Sequence, residues 1–168
     1  MNQKSQGARK PQKMSARQKA PKQRPASDPK TALSEIAELL WGAAIKSCDA
    51  HCHYSGLVKS GAHVAEQKAA LRGLRAVDEI LDEAVDLYEV ACLQDQNHSD
   101  DQWWHRANMV WRTAKEYLRH QAASNRLTRW GSDHGHAELR ELNIEYELEA
   151  SALLRMRHAV DSYHEALS

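Results

Sequence analysis

Residues 138–167 read ELRELNIEYELEASALLRMRHAVDSYHEAL, and the spacing within them decides the fold. Leu139, Tyr146, Leu153, Val160 and Leu167 recur every seven residues, and Leu142, Glu149, Met156 and Tyr163 form a second series three positions on, with one acidic break. Two such series lie side by side on an α-helix and make one apolar stripe. A third series, Glu145, Ala152, Ala159 and Ala166, widens it with small side chains. Small residues let a neighbouring helix come close, so the stripe reads as one wall of a bundle and not as a narrow two-stranded seam.

The partners of that wall lie upstream. Leu33, Ile36, Leu40, Ala44, Cys48 and Cys52 follow one another at steps of three or four. Ala70, Leu74, Val77, Leu81, Ala84, Tyr88 and Ala91 repeat the pattern, as do Trp104, Ala107, Trp111, Ala114 and Leu118. Ser27, Asp28 and Pro29 suit a helix start, Ser55 and Gly56 an end, and Ser99 or Asp100 a third cap. Trp130 to Asp133 supply the last turn. The predicted helices span about 28–54, 63–93, 100–129 and 134–167. Short connections make consecutive helices antiparallel neighbours. The expected fold is all-α: an antiparallel up-and-down four-helix bundle over residues 31–168, preceded by a disordered basic tail, residues 1–30.

Charge divides the chain along the same line. Residues 1–30 hold nine Lys or Arg against one Asp, net +8, whereas 31–168 hold fourteen against twenty-two, net −8. The tail contains all four prolines and, as bulky apolar side chains, only Met1 and Met14, so it has too little to bury to offset the entropy of ordering. Its Lys10, Arg17 and Lys22 are candidates for contact with nucleic acid or another acidic surface. Within the bundle, the third helix has a basic face that includes Arg112, Lys115 and Arg119, and the second an acidic one, Asp78, Glu79, Asp82, Glu83, Asp86 and Glu89. The acidic face reads as solvated surface, and the basic helix is expected to find acidic partners on both sides. Ile144, Leu148 and Leu154 lie off the main stripe of the last helix, where internal packing is the simpler reading and a dimer surface the other. No run is long and apolar enough for a membrane span. Three cysteines and no apolar leader fit a reduced, cytoplasmic setting.

Few side chains in this sequence point to chemistry. Cys48, His51 and Cys52 are candidate metal ligands, since thiolate and imidazole suit zinc, although a second cysteine pair is missing and both cysteines also fit the buried stripe. A carboxylate-bridged di-metal site would need Glu-x-x-His pairs, and the chain has none. No Gly-rich phosphate loop and no nucleophile elbow occur. Glu149 stands where the series predicts a hydrophobe, so its carboxyl must be paired or protonated, with the third helix, Arg112, Arg119, His105 and His120 among them, as the source of partners. A polar residue in such a place fixes helix register.

Leu40-Trp41-Gly42-Ala43-Ala44, then Ser60-Gly61-Ala62-His63, then a long helix ending at Asn97-His98, resemble the HEPN superfamily over residues 31–120 at most. The resemblance implies a small helical bundle of the kind found among nucleotide-binding accessory proteins and RNases. HEPN RNases carry an Arg, usually followed by a polar residue, with a His five to seven positions on. Arg129 and His134 have that spacing, with Trp130 in the polar place and the pair outside the resembling region. The leading expectation is therefore a non-enzymatic interaction protein without a cofactor, acting on a protein partner or as a homodimer and tethered by its tail. The alternative is a HEPN-like protein that binds RNA or nucleotides, or cleaves RNA through Arg129 and His134.

Overall fold

The computed structural model describes residues 29–94, 102–130 and 136–167. They form four helices, α1 (Pro29–Lys59), α2 (Val64–Gln94), α3 (Gln102–Trp130) and α4 (His136–Leu167), in the all-α bundle that the periodicity predicts. Contacts across α3 and α4 pair Arg106 with Ser162, Glu116 with Arg155 and Thr128 with Tyr146. Numbers rise on one helix as they fall on the other, which is antiparallel packing. α1 packs on α2 and α4, and α3 on α2 and α4; α1 and α3 also touch across the middle, whereas α2 and α4 do not. The expected tail falls on residues 1–28, outside those described, and residues 29 and 30 open α1.

The first helix runs past Ser55 and Gly56 to Lys59. Its stop is Gly61, whose φ of +67° only glycine adopts without strain. Ala62 N–H donates to the carbonyl of Leu57 at 3.0 Å and Gly61 N–H to that of Val58 at 3.2 Å, the paired bonds of a Schellman turn. His63 then caps α2, its Nδ1 accepting from Ala65 N–H at 3.2 Å. The polar Ser55 and the flexible Gly56 suggested an earlier stop, but backbone closure at Gly61 prevails.

The core is concentrated at one end of the bundle. Leu33 to Cys48 of α1, Leu81 to Tyr88 of α2, Ala107 to Tyr117 of α3 and Ala152 to Tyr163 of α4 supply its buried apolar side chains. Trp41 Nε1 donates to the carbonyl of Val160 at 3.1 Å, and its ring stacks on His164, tying α1 to α4. At the opposite end the helices carry more polar residues, and the seven-residue series of α4 reflects the change: Leu139 and Tyr146 are exposed, Leu153 is half-buried, and Val160 is buried. Ile144, Leu148 and Leu154 are exposed too, so among the described residues they do not pack inward.

Ion pairs lace the outside with mixed polarity. Lys115 of α3 reaches Glu89 of α2 at 2.6 Å, as the basic face predicts. Between α3 and α4 the sense is reversed, because Arg155 of α4 donates to Glu116 of α3 at 2.7 Å. Arg157 bridges to Asp49 of α1 at 2.8 Å. Each exposed pair contributes about 0–1 kcal/mol, so apolar burial holds the bundle and these pairs bias its neighbours.

Candidate functional site

Where the dry core gives way to the polar end, the four helices bury a layer of polar side chains. Its centre is Asp78 of α2, only 5 % exposed. Ser47 Oγ of α1 donates to Asp78 Oδ1 at 2.6 Å, Gln121 Nε2 of α3 donates to Oδ2, and the Tyr117 hydroxyl lies 3.4 Å from Oδ2. Gln121 also donates to Tyr117 at 3.1 Å, so the three donors form one network. The acidic face of α2 was expected to be solvated. Asp78 departs from that, because Leu74, Asp78, Leu81, Val85 and Tyr88 form a step of four and three that turns inward.

Charge in the layer is costly and the groups respond. Burial pushes the Asp78 carboxyl above its ordinary range, opposed by the hydrogen bonds from Ser47, Gln121 and Tyr117 and by His51. Glu149, half-buried on α4, is also pushed up, first by burial and further by Asp78, while Ser124 and His120 pull the other way. Burial pushes the His51 imidazole down, against the attraction of Asp78. The ring of His51 stands edge-on to Tyr117, 6.2 Å between centroids, and its Nδ1 is buried without a hydrogen-bond partner among the described residues. His120 Nδ1 is held 2.8 Å from Glu145 Oε2.

Two clefts flank this layer. One, of about 360 Å³, is lined by His51, Arg75, Gln121, Tyr146 and Glu149 among others. The second, of about 470 Å³, is lined by Asp78, Asp82, Arg75, Gln121 and Asn125 with their neighbours. Both open to solvent; the first is lined mainly by apolar surface and the second by polar and apolar surface in equal measure.

Glu149 is thus brought to the layer, but its neighbours are Ser124, His120 and Asp78 and not the arginines of α3. Arg112 and Arg119 stay exposed on α3. Cys48 is buried, with its thiol pushed up to about 12 by burial, so it is held protonated and suited to packing rather than to ligation. Cys52 is exposed one turn away and His51 is half-buried. Among the described residues, no group of three or more His, Cys, Asp and Glu is placed to share a metal ion. Arg129 lies in the last turn of α3, while His134, Lys10, Arg17 and Lys22 lie outside the described residues. Among the described residues no helix is long and apolar enough to cross a membrane.

Comparisons with protein-family models, curated proteins and solved structures give no match. Inference about function therefore starts from the chain's own geometry. Sequence reading singled out Glu149 and missed Asp78, Ser47, Tyr117 and Gln121. A signal for Asp78 was present, since it stands four residues after Leu74 and three before Leu81, but Val77 competes for the same inward place.

Proposed function

We propose that the chain is a non-enzymatic interaction protein. It is a helical bundle that works by presenting outer helix faces to other protein surfaces, with the basic segment 1–30 tethering it to a nucleic acid or another acidic surface. The observation that carries the reading is the bulk of apolar side chain left outward: Ile80 and Leu87 of α2 are 52 % and 54 % exposed, and Leu154 of α4 is 60 % exposed. Such side chains, grouped along a helix face, mark contact surfaces. The polar layer supports the same reading. Asp78 takes its hydrogen bonds from Ser47, Tyr117 and Gln121 within the bundle, which suits a device that fixes helix register. Cys48 and Cys52 are in no disulfide, in keeping with a reducing, cytoplasmic compartment.

A photo-crosslinking side chain placed at Leu87 or Leu154 in the full chain tests this in the cells that make the protein. Discrete adducts are expected at these positions and not at the polar, exposed Arg140. They are expected to vanish when a neighbouring apolar residue becomes Gln. Equal labelling at all three positions, or none at all, overturns the proposal.

A further inference from the structure

α2 packs on α1 and α3 and leaves one face uncovered. Along that face Ala69, Gly73, Ala76, Ile80, Glu83, Leu87 and Val90 follow the four-three spacing of a helix seam, with one acidic break at Glu83, and every one is exposed. This second stripe is separate from the inward one. Its two halves differ in size, with Ala69, Gly73 and Ala76 at the N-terminal end and Ile80, Leu87 and Val90 at the C-terminal end. The charges on and beside it are graded the same way: Lys68, Arg72 and Arg75 in the first half, Glu79, Asp82, Glu83 and Asp86 in the second. None of these seven makes an ion pair within the chain among the described residues.

We propose that this face is a self-complementary docking surface on which a second copy of the chain packs its own α2 antiparallel, about a two-fold axis near Ile80. The inference rests on the interaction-protein reading and names the partner. Antiparallel alignment about Ile80 sets Gly73 against Leu87 of the second copy and Ala69 against Val90, so small meets large toward both ends of the seam. Ile80 meets its own copy at the axis, and Ala76 leaves room for Glu83. It also brings Arg72 and Arg75 beside Asp86 and Glu83 of the second copy, twice over by symmetry. A parallel pair would set like charges together and bulky side chains against each other, leaving gaps between the small ones. The basic segment 1–30 matches the acidic half alone. Its only bulky apolar residues, Met1 and Met14, do not suffice to cover Ile80, Leu87 and Val90, and it would meet like charge at Arg72 and Arg75.

Sedimentation velocity of the full chain at low salt tests the surface. The expected result is a reversible dimer that weakens as salt rises. Leu87→Gln with Ile80→Gln is expected to give a monomer of unchanged helicity. Arg72→Glu with Arg75→Glu is expected to raise the dissociation constant about tenfold or more, and adding Glu83→Arg with Asp86→Arg to restore it. Orientation is read by disulfide trapping in a Cys52→Ser, Cys92→Ser background. Ile80→Cys is expected to link to itself, whereas Gly73→Cys and Leu87→Cys link only to each other when mixed. Self-linkage at 73 and 87 overturns the antiparallel arrangement. A monomer at all concentrations, or a dimer indifferent to Leu87→Gln, overturns the proposal. If that monomer still gives photo-adducts from position 87 to a different protein, self-association fails while the interaction-protein reading stands; if adducts are absent as well, both fail.

Discussion

The Ser47 hydroxyl of α1 and the Asp78 carboxylate of α2 meet at 2.6 Å at the level where the bundle changes from apolar core to polar cleft. The contact defines the register of the first hairpin. Sliding α2 by one turn so that Leu74 takes the place of Asp78 would strand the donors Ser47, Tyr117 and Gln121. Leaving buried donors unmet costs about 1–3 kcal/mol each, which makes slipped packings poor competitors. The apolar stripes alone discriminate less, because one turn of slip still sets apolar against apolar.

Asp78→Asn separates the shape of this layer from its charge. The folded chain holds the Asp78 proton more tightly than the unfolded chain does, because burial raises the carboxyl above its ordinary 3.8. A raised carboxyl makes no demand below 3.8, and it lowers stability progressively as pH rises from there through the folded value. The amide resembles the protonated acid, so wild type and variant are expected to match near pH 3. The variant should gain on wild type as pH rises, by at most about 1.4 kcal/mol for each pH unit of the window. Urea unfolding from pH 3 to pH 7 measures the difference. A constant offset between the two proteins would mean that Asp78 is not perturbed.

His51 works in the opposite sense. Burial lowers its proton affinity below the ordinary 6.5, so the unfolded chain takes up the proton first as pH falls. Stability tied to the neutral imidazole is present above 6.5 and is lost as pH drops through the folded value. His51→Gln is expected to flatten that acid-side loss. Asp78 attracts the His51 cation, so the loss should be larger in the Asp78→Asn background, and a double-mutant cycle below pH 6.5 should show coupling between the two. Independent effects would separate His51 from the layer.

The basic segment makes its own prediction. If Lys10, Arg17 and Lys22 neutralise phosphates, converting all three to Ala should weaken binding to nucleic-acid polymers without regard to sequence. The log–log salt dependence should also become shallower, by about 0.7–0.9 for each phosphate that is no longer neutralised. Fluorescence anisotropy with a labelled duplex of arbitrary sequence at several salt concentrations reads both. An unchanged slope would remove these three residues from the tether.

How far the sequence carried depended on which kind of signal a residue gives. Helix identity was legible because apolar spacing is a local property, and Leu40, Leu81, Ala114 and Met156 lie buried where it places them. Glu149 was legible as an anomaly, since one carboxylate interrupts an apolar series. Asp78 was not, because it sits among five other acidic residues of α2 and looks like one more of them. Only the rotation of α2, set by packing against α1 and α3, turns Asp78 inward while Asp82 and Asp86 stay outside. The outward stripe through Ile80 and Leu87 was hidden for the same reason: two four-three series run one residue apart, and tertiary packing chooses which is buried.

Gly61 and Gly56 make a pair whose substitution should have opposite signs. An added Cβ would meet nothing within 4 Å at either position, so sterics with neighbours do not decide the outcome. Backbone conformation does. At Gly61 the φ of +67° is strained for an L-residue, and Gly61→Ala is expected to destabilise by about 1–2 kcal/mol, with Asn better tolerated. Gly56 lies within α1, where Ala restricts the unfolded chain and favours the helix, so Gly56→Ala is expected to stabilise by about 0.5–1 kcal/mol. Chemical unfolding at neutral pH, with amide exchange across residues 54–62, distinguishes them. Stabilisation by Gly61→Ala would show that α1 does not end on a left-handed glycine, and destabilisation by Gly56→Ala would place the end of the helix earlier, at the Ser55-Gly56 step.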